Sequence, residues 1–231
     1  DVVGEVPKPL ALIFEGDDAS LSAHPVVLIR LAPASRMVMA EWHQSAVGLS
    51  APLIGLDLSK RASLDFVKIQ AEDSATSHLA ATGVLLAGQA RVAGFSLSVG
   101  GEMARLETHV TMAGEGADCQ LSAIYLGRGR QHHDITTVLN HDIGHCTSDQ
   151  VIRGVLDDRA RGVYQGRIAG VSGLRRGGEQ RQRGWRGRQR ARKRRPPASH
   201  RPTRSAPAPP APPARWPAGR TSAGTAARPA G

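Results

Sequence analysis

The chain has 231 residues, room for one large domain or two small ones, with 30 Lys+Arg against 20 Asp+Glu and a formal charge of +10. Residues 171–231 hold 15 Arg, one Lys and one acid, so residues 1–170, with 14 bases and 19 acids, are mildly acidic. That split excludes a uniformly basic nucleic-acid-binding domain. Aromatics are 3%, so a core must be built from Val, Leu, Ile and Ala. Two cysteines, Cys119 and Cys146, exclude a disulfide framework and a four-Cys zinc site. No apolar run approaches the length of a membrane span. The N-terminus lacks a basic start and an apolar stretch, so no signal peptide is expected and a reducing, cytoplasmic setting is the default. The absence of a starting Met is expected of a fragment.

In chain order, residues 1–170 read as all-β. Val26-Val27-Leu28-Ile29-Arg30-Leu31 is a more continuous run, which predicts a strand buried on both faces. From Ala34 onward a small or polar pair, an Ala and an alternating apolar strand recur, at Ala34, Ala62, Ala90, Ala117 and Ala160, with spacings of 28, 28, 27 and 43. Repeats of this length with short strands mean a solenoid, a propeller or a sandwich. Propeller blades usually carry aromatic motifs, which are missing here. Stacked β-helix rungs suit aliphatic strands with Ala at tight corners; a β-sandwich with coincidental Ala spacing is the alternative. Gln70-Ala71-Glu72-Asp73 with His78 offers paired acids for acid–base work. Nothing places a nucleophile near them, and a polar strand edge is the expected reading.

Alternation is clear in Phe95-Ser96-Leu97-Ser98-Val99, Leu106-Glu107-Thr108-His109-Val110-Thr111-Met112 and Cys119-Gln120-Leu121-Ser122-Ala123-Ile124-Tyr125. Glycines punctuate the joins, and no capped amphipathic helix stands out. Gly114-Glu115-Gly116 lacks the third glycine and following helix of a phosphate loop. The chemistry-bearing segment is His132, His133, Asp134, His141 and His145, with Cys146 beside the last. Imidazoles are good ligands for zinc or iron, and His141-Asp142 resembles the His-Asp pair of metal-dependent phosphohydrolases. Those enzymes place His-x3-His on one helical face. Here Ile135-Thr136-Thr137-Val138 is β-branched, and in a strand His141 and His145 stand roughly 13 Å apart. Hydrogen-bonded ladders on the outside of stacked strands are expected instead of a metal-dependent hydrolase site. Cys146 next to His145 is an incidental pair rather than an activated thiol.

In residues 171–231, Arg, Pro, Ala and Gly make up 44 of 61 residues. The segment cannot offset its ordering entropy and is expected to be disordered. It reads as a basic nucleic-acid-binding arm through Arg192-Lys193-Arg194-Arg195, as a linker, or as out-of-frame translation of GC-rich codons. The abrupt change after Gly170 favours the last, and nucleic acid is not the expected partner.

Gly114-Glu115-Gly116-Ala117 with Leu121-Ser122-Ala123-Ile124-Tyr125-Leu126 resembles a segment of the SufB/SufD family of iron–sulfur cluster assembly proteins. Asp134, His141 and Ser148, then Val151-Ile152-Arg153-Gly154-Val155-Leu156-Asp157-Asp158, are similar to its next segment. Arg159-Ala160-Arg161-Gly162-Val163-Tyr164-Gln165-Gly166-Arg167-Ile168 resembles a later strand; Ile69-Gln70, Gly100-Gly101 and Arg105-Leu106 also fit. The likeness covers roughly residues 25–169, and the SufD-like branch is nearer because no cysteine-rich segment accompanies it. The resemblance implies a right-handed parallel β-helix spanning 1–170. It implies a scaffold subunit, not an enzyme, that pairs with SufB and the ATPase SufC and binds no cofactor alone. An iron–sulfur cluster would be transient in the assembled complex. The family's Cys-Ser-His-Gly segment has no counterpart: Ala198-Ser199-His200-Arg201 lacks its Cys and Gly. No catalytic, cofactor-binding or metal residue is therefore carried over, and His141 and Ser148 are expected to be structural.

Overall fold

The computed structural model describes residues 1–170 and the backbone of one further strand, Gln180–Gly184. Among the described residues there is no helix. Strands β1 (Leu10–Phe14), β4 (Arg36–His43), β7 (Ser63–Gln70), β9 (Arg91–Ser98), β11 (Asp118–Gly127), β13 (Thr147–Leu156) and β15 (Gln180–Gly184) form one sheet in that order. The second sheet runs β14 (Arg161–Gly170), β12 (His132–His141), β10 (Met103–Met112) and β8 (Ser77–Leu86). It continues through β6 (Leu53–Leu58) to β3 (Val26–Leu31), and through β5 (Leu49–Ser50) to β2 (Ser22–Ala23). Every pairing among the described strands is parallel. The chain alternates between the sheets, so each rung is one strand of each, and consecutive rungs stack in register: a parallel β-solenoid, as the rung pattern predicted.

The repeat has a physical origin at one corner. First-sheet strands β4 to β13 begin at residues 36, 63, 91, 118 and 147. Each is preceded by a left-handed residue, Ala34, Arg61, Gln89, Gly116 or His145, with φ between 58° and 74°. The next residue points inward at full burial: Ser35, Ala62, Ala90, Ala117 or Cys146. Only a small side chain fits there, which is why alanine marked the repeat. Two positions of the sequence reading shift. Ala34 occupies the left-handed site itself and Ser35 takes the corner. Ala160 opens a second-sheet strand, so the outlying spacing of 43 belongs to a different corner; the true fifth position is Cys146.

The interior is apolar in one half: Met37, Leu64, Val92 and Cys119 stack rung on rung in the first sheet, and Leu58, Leu86 and Met112 in the second, with Leu139 on Val110 beside them. Truncating any of these fully buried leucines to alanine would cost about 2–5 kcal/mol. A smaller cluster of Ala123, Ile135 and Ile152 lies further along, with Tyr125 and Tyr164 against it. Val26–Leu31 is not buried on both faces: Val26 and Leu28 are 71% and 57% exposed because no layer covers the outside of the second sheet there. Within 171–231 only Gln180–Gly184 is described, paired with Ser148–Ile152 of β13. The expected disorder and the basic run Arg192–Arg195 otherwise lie outside the described residues.

Candidate functional site

The other half of the interior is polar. Inward positions of β4 after Met39 are Glu41 and His43; those of β7 after Phe66 are Lys68 and Gln70. The in-register pairing sets Glu41 against Lys68 and His43 against Gln70. The corner after β7 brings Glu72 inside, and β8 returns with His78 and Thr82, all buried. Strand alternation therefore forces these groups into the core once Met37 and Leu64 take the inward register.

They satisfy one another only in part. Lys68 Nζ stands 3.1 Å from Glu41 Oε1 and donates to Thr82 Oγ1 at 2.8 Å. His43 Nε2 lies 2.7 Å from the same Glu41 oxygen. A carboxylate only accepts, so that nitrogen donates, and Nδ1 has no hydrogen-bond partner among the described residues. Phe14 stacks on the His43 ring at 4.5 Å, and His78 meets it edge-on at 4.8 Å. Glu72 Oε2 is 2.7 Å from His78 Nδ1 without hydrogen-bond alignment, while His78 Nε2 has no hydrogen-bond partner among the described residues. Ser45 Oγ donates to Glu72 Oε1 at 3.0 Å and Gln70 Nε2 to Oε2 at 3.1 Å. The string continues along the solenoid. Ser98 Oγ donates to Gln70 Oε1 at 2.9 Å and faces His133 Nδ1 at 2.8 Å. With the hydroxyl proton spent on Gln70, His133 is the donor from Nδ1, and its Nε2 lone pair is unpartnered.

Charge states follow. Burial would raise the Glu41 carboxyl, but Lys68 and the His43 bond hold it below the ordinary value. Burial likewise opposes ionisation of Glu72, yet His78 and the bonds from Ser50 and Gln70 hold it low. Burial lowers His78 against the pull of Glu72. Burial, with His132 nearby, brings His133 down to about 4. Near neutral pH Glu41 and Glu72 are thus ionised, with His78 and His133 neutral.

The sequence-predicted candidates fare differently. His132, His133, Asp134 and His141 lie along the single strand β12, and His145 sits at the next corner in the left-handed position, largely exposed. That β geometry removes the metal-dependent hydrolase reading for this segment. The expected outside ladder is corrected for two residues: His133 and His141 are buried, because inward register in β12 falls on the odd positions with Ile135 and Leu139, whereas Asp134 lies on the outward face beneath Arg105 and Thr136. Asp134 meets Arg105 at 3.4 Å and His141 meets Ser148 Oγ at 3.0 Å. Cys146 is buried beneath Gly114 O, and burial raises its thiol, so it is no activated partner of His145. Glu72 and His78 are not a polar strand edge but the centre of the buried string, together with Gln70; Asp73 turns outward. Gly114-Glu115-Gly116 forms a corner. Glu41, His43 and Lys68 escaped the sequence reading.

A solenoid of parallel strands enclosing a polar string defines a β-helix protein with a partly hydrophilic core, not a helical metallohydrolase. Residues 14–172 match the SufBD core domain of the SUF system of iron–sulfur cluster assembly, and the chain belongs to that family. It is 26% identical over 113 residues to the iron–sulfur cluster assembly protein SufD of Escherichia coli (strain K12), covering 49% of this chain and 27% of that protein. It is 24% identical over 152 residues to an iron–sulfur cluster assembly SufBD family protein of Mycobacterium leprae (strain TN), covering 66% and 38% respectively. The chain therefore spans well under half the length of these curated relatives. No helix among the described residues is long and apolar enough to cross a membrane.

Proposed function

We propose that the protein is a scaffold subunit of a SUF-type iron–sulfur cluster assembly complex, pairing with a SufB-like subunit and a SufC-like ATPase. The observation that carries this reading is the coincidence of the family match at residues 14–172 with the stacked rungs of the solenoid. A rigid stack of parallel strands suits a scaffold, since every rung is tied to its neighbours by a full ladder of backbone bonds. The outer edge of β14 pairs with no other described strand and offers backbone groups for augmentation by a partner. The cluster is cargo of the assembled complex in this reading. The test is co-purification: the tagged full chain, co-expressed with the SufB-like and SufC-like proteins of its own source, should retain both through size exclusion. Elution of the folded chain free of both would overturn the proposal.

A further inference from the structure

We propose that His43, Glu72 and His78 form an interior site for one divalent transition-metal ion of the Fe(II)/Zn(II) class. One ligating atom from each residue lies within 4.8 Å of the other two. At metal–ligand distances of about 2.0–2.2 Å, donors stand about 3–3.5 Å apart around a tetrahedral ion, and about 4.2 Å apart when opposite in an octahedral shell. Small side-chain rotations therefore close the set. Two imidazoles and one carboxylate are a borderline donor set, suited to iron or zinc rather than to calcium or magnesium.

Three further observations point to a ligand. The Nδ1 of His43 and the Nε2 of His78 are buried without a hydrogen-bond partner, a cost of about 1–3 kcal/mol each that a bound ion would remove. Second, His43 gives its other N–H to Glu41, the carboxylate–histidine arrangement that orients metal-bound imidazoles. Third, Glu41 has Lys68 as counter-ion, whereas Glu72 is ringed by Ser45, Gln70 and His78 and has no Lys or Arg beside it among the described residues. A buried carboxylate without a counter-charge is expensive, and a divalent ion is one way to balance it.

The site goes beyond the assembly reading, and its test needs neither partner. The full chain, stripped with chelator, is equilibrated with Co(II), both as folded protein and during refolding. Bound cobalt is counted after gel filtration. We expect one equivalent per chain, with X-ray absorption showing a nitrogen/oxygen shell that includes imidazole and no sulfur. Glu72→Gln and His78→Gln should each weaken binding on the order of 100-fold or more, and Glu41→Gln about 10–100-fold. His145→Ala should leave binding unchanged. Circular dichroism establishes folding of each variant; where one does not fold, absorption on the unmodified chain decides. No retained cobalt in either arm, a sulfur-containing shell, or equal binding by folded Glu72→Gln and His78→Gln would overturn the site. Loss of partner capture with cobalt binding intact would instead count against the assembly reading alone.

Discussion

Replacing Lys68 by Met is the sharpest perturbation of the buried string. Lys68 is 3% exposed and Glu41 is 1% exposed. At 3.1 Å, the pair attracts by about 5 kcal/mol at an effective dielectric of about 20. Removing one partner strands the other charge in the core, which costs about 3–5 kcal/mol. Met fills most of the lysine stem, so the loss is electrostatic rather than a cavity. Lys68→Met should therefore lower unfolding free energy by about 3–5 kcal/mol near neutral pH. Adding Glu41→Gln should recover about 2 kcal/mol or more, because a neutral amide still accepts from His43. The pH dependence has a definite sign. In the unmodified chain Glu41 lies below its ordinary value, so its contribution is present above that value and is lost as pH falls through the folded one. Without Lys68, burial dominates and raises the carboxyl, and protonation then relieves the variant. The deficit should shrink as pH is lowered toward the ordinary carboxylate range. Urea unfolding followed by circular dichroism measures all of this. A deficit under about 1 kcal/mol at neutral pH, or one that widens on acidification, refutes the assignment of an ionised buried pair.

His133 titrates near 4 in the fold against an ordinary 6.5. Its folded state binds fewer protons, so stability is full above 6.5 and declines by about 3 kcal/mol as pH falls from there to 4. His133→Gln should flatten that slope in pH-resolved unfolding. Gly94→Ala places a methyl 2.3 Å from the Phe66 ring inside the solenoid. It should cost about 1–3 kcal/mol by overpacking and be relieved by Phe66→Leu, as read from paired melting curves. We further propose that residues after Gly170 are out-of-frame. Sequencing the coding DNA should yield alternating apolar strands in another frame beyond that codon, and interrupted or unpatterned frames would contradict this.

The rungs were legible because one corner admits only a small inward residue, so Ala62, Ala90 and Ala117 recur at the rung length. The pattern broke where another small residue took the place of alanine, at Ser35 and Cys146. The polar string was hidden by inverted hydropathy. In β4, Glu41 and His43 point inward while Val38 and Trp42 are exposed. In β8, Leu79 and Leu85 face out while His78 and Thr82 face in. Alternation alone cannot say which face is the core when both carry apolar groups. The available signal was the repeat: Glu41 and Lys68, and His43 and Gln70, are each 27 residues apart, one rung, in phase with Met37 and Leu64. The histidine segment drew attention because its ligand-type residues are adjacent in sequence. Of those that meet in the fold, Glu72 and His78 lie in one rung, six residues apart, and His43 comes from the rung before it.

The central claim, membership of a cluster-assembling complex, is tested most directly by counting iron and acid-labile sulfide. SufB-like and SufC-like subunits purified with this chain should carry a cluster after anaerobic supply of iron, sulfide and ATP. The same subunits without it should carry much less. Equal cluster content with and without the chain would contradict the account.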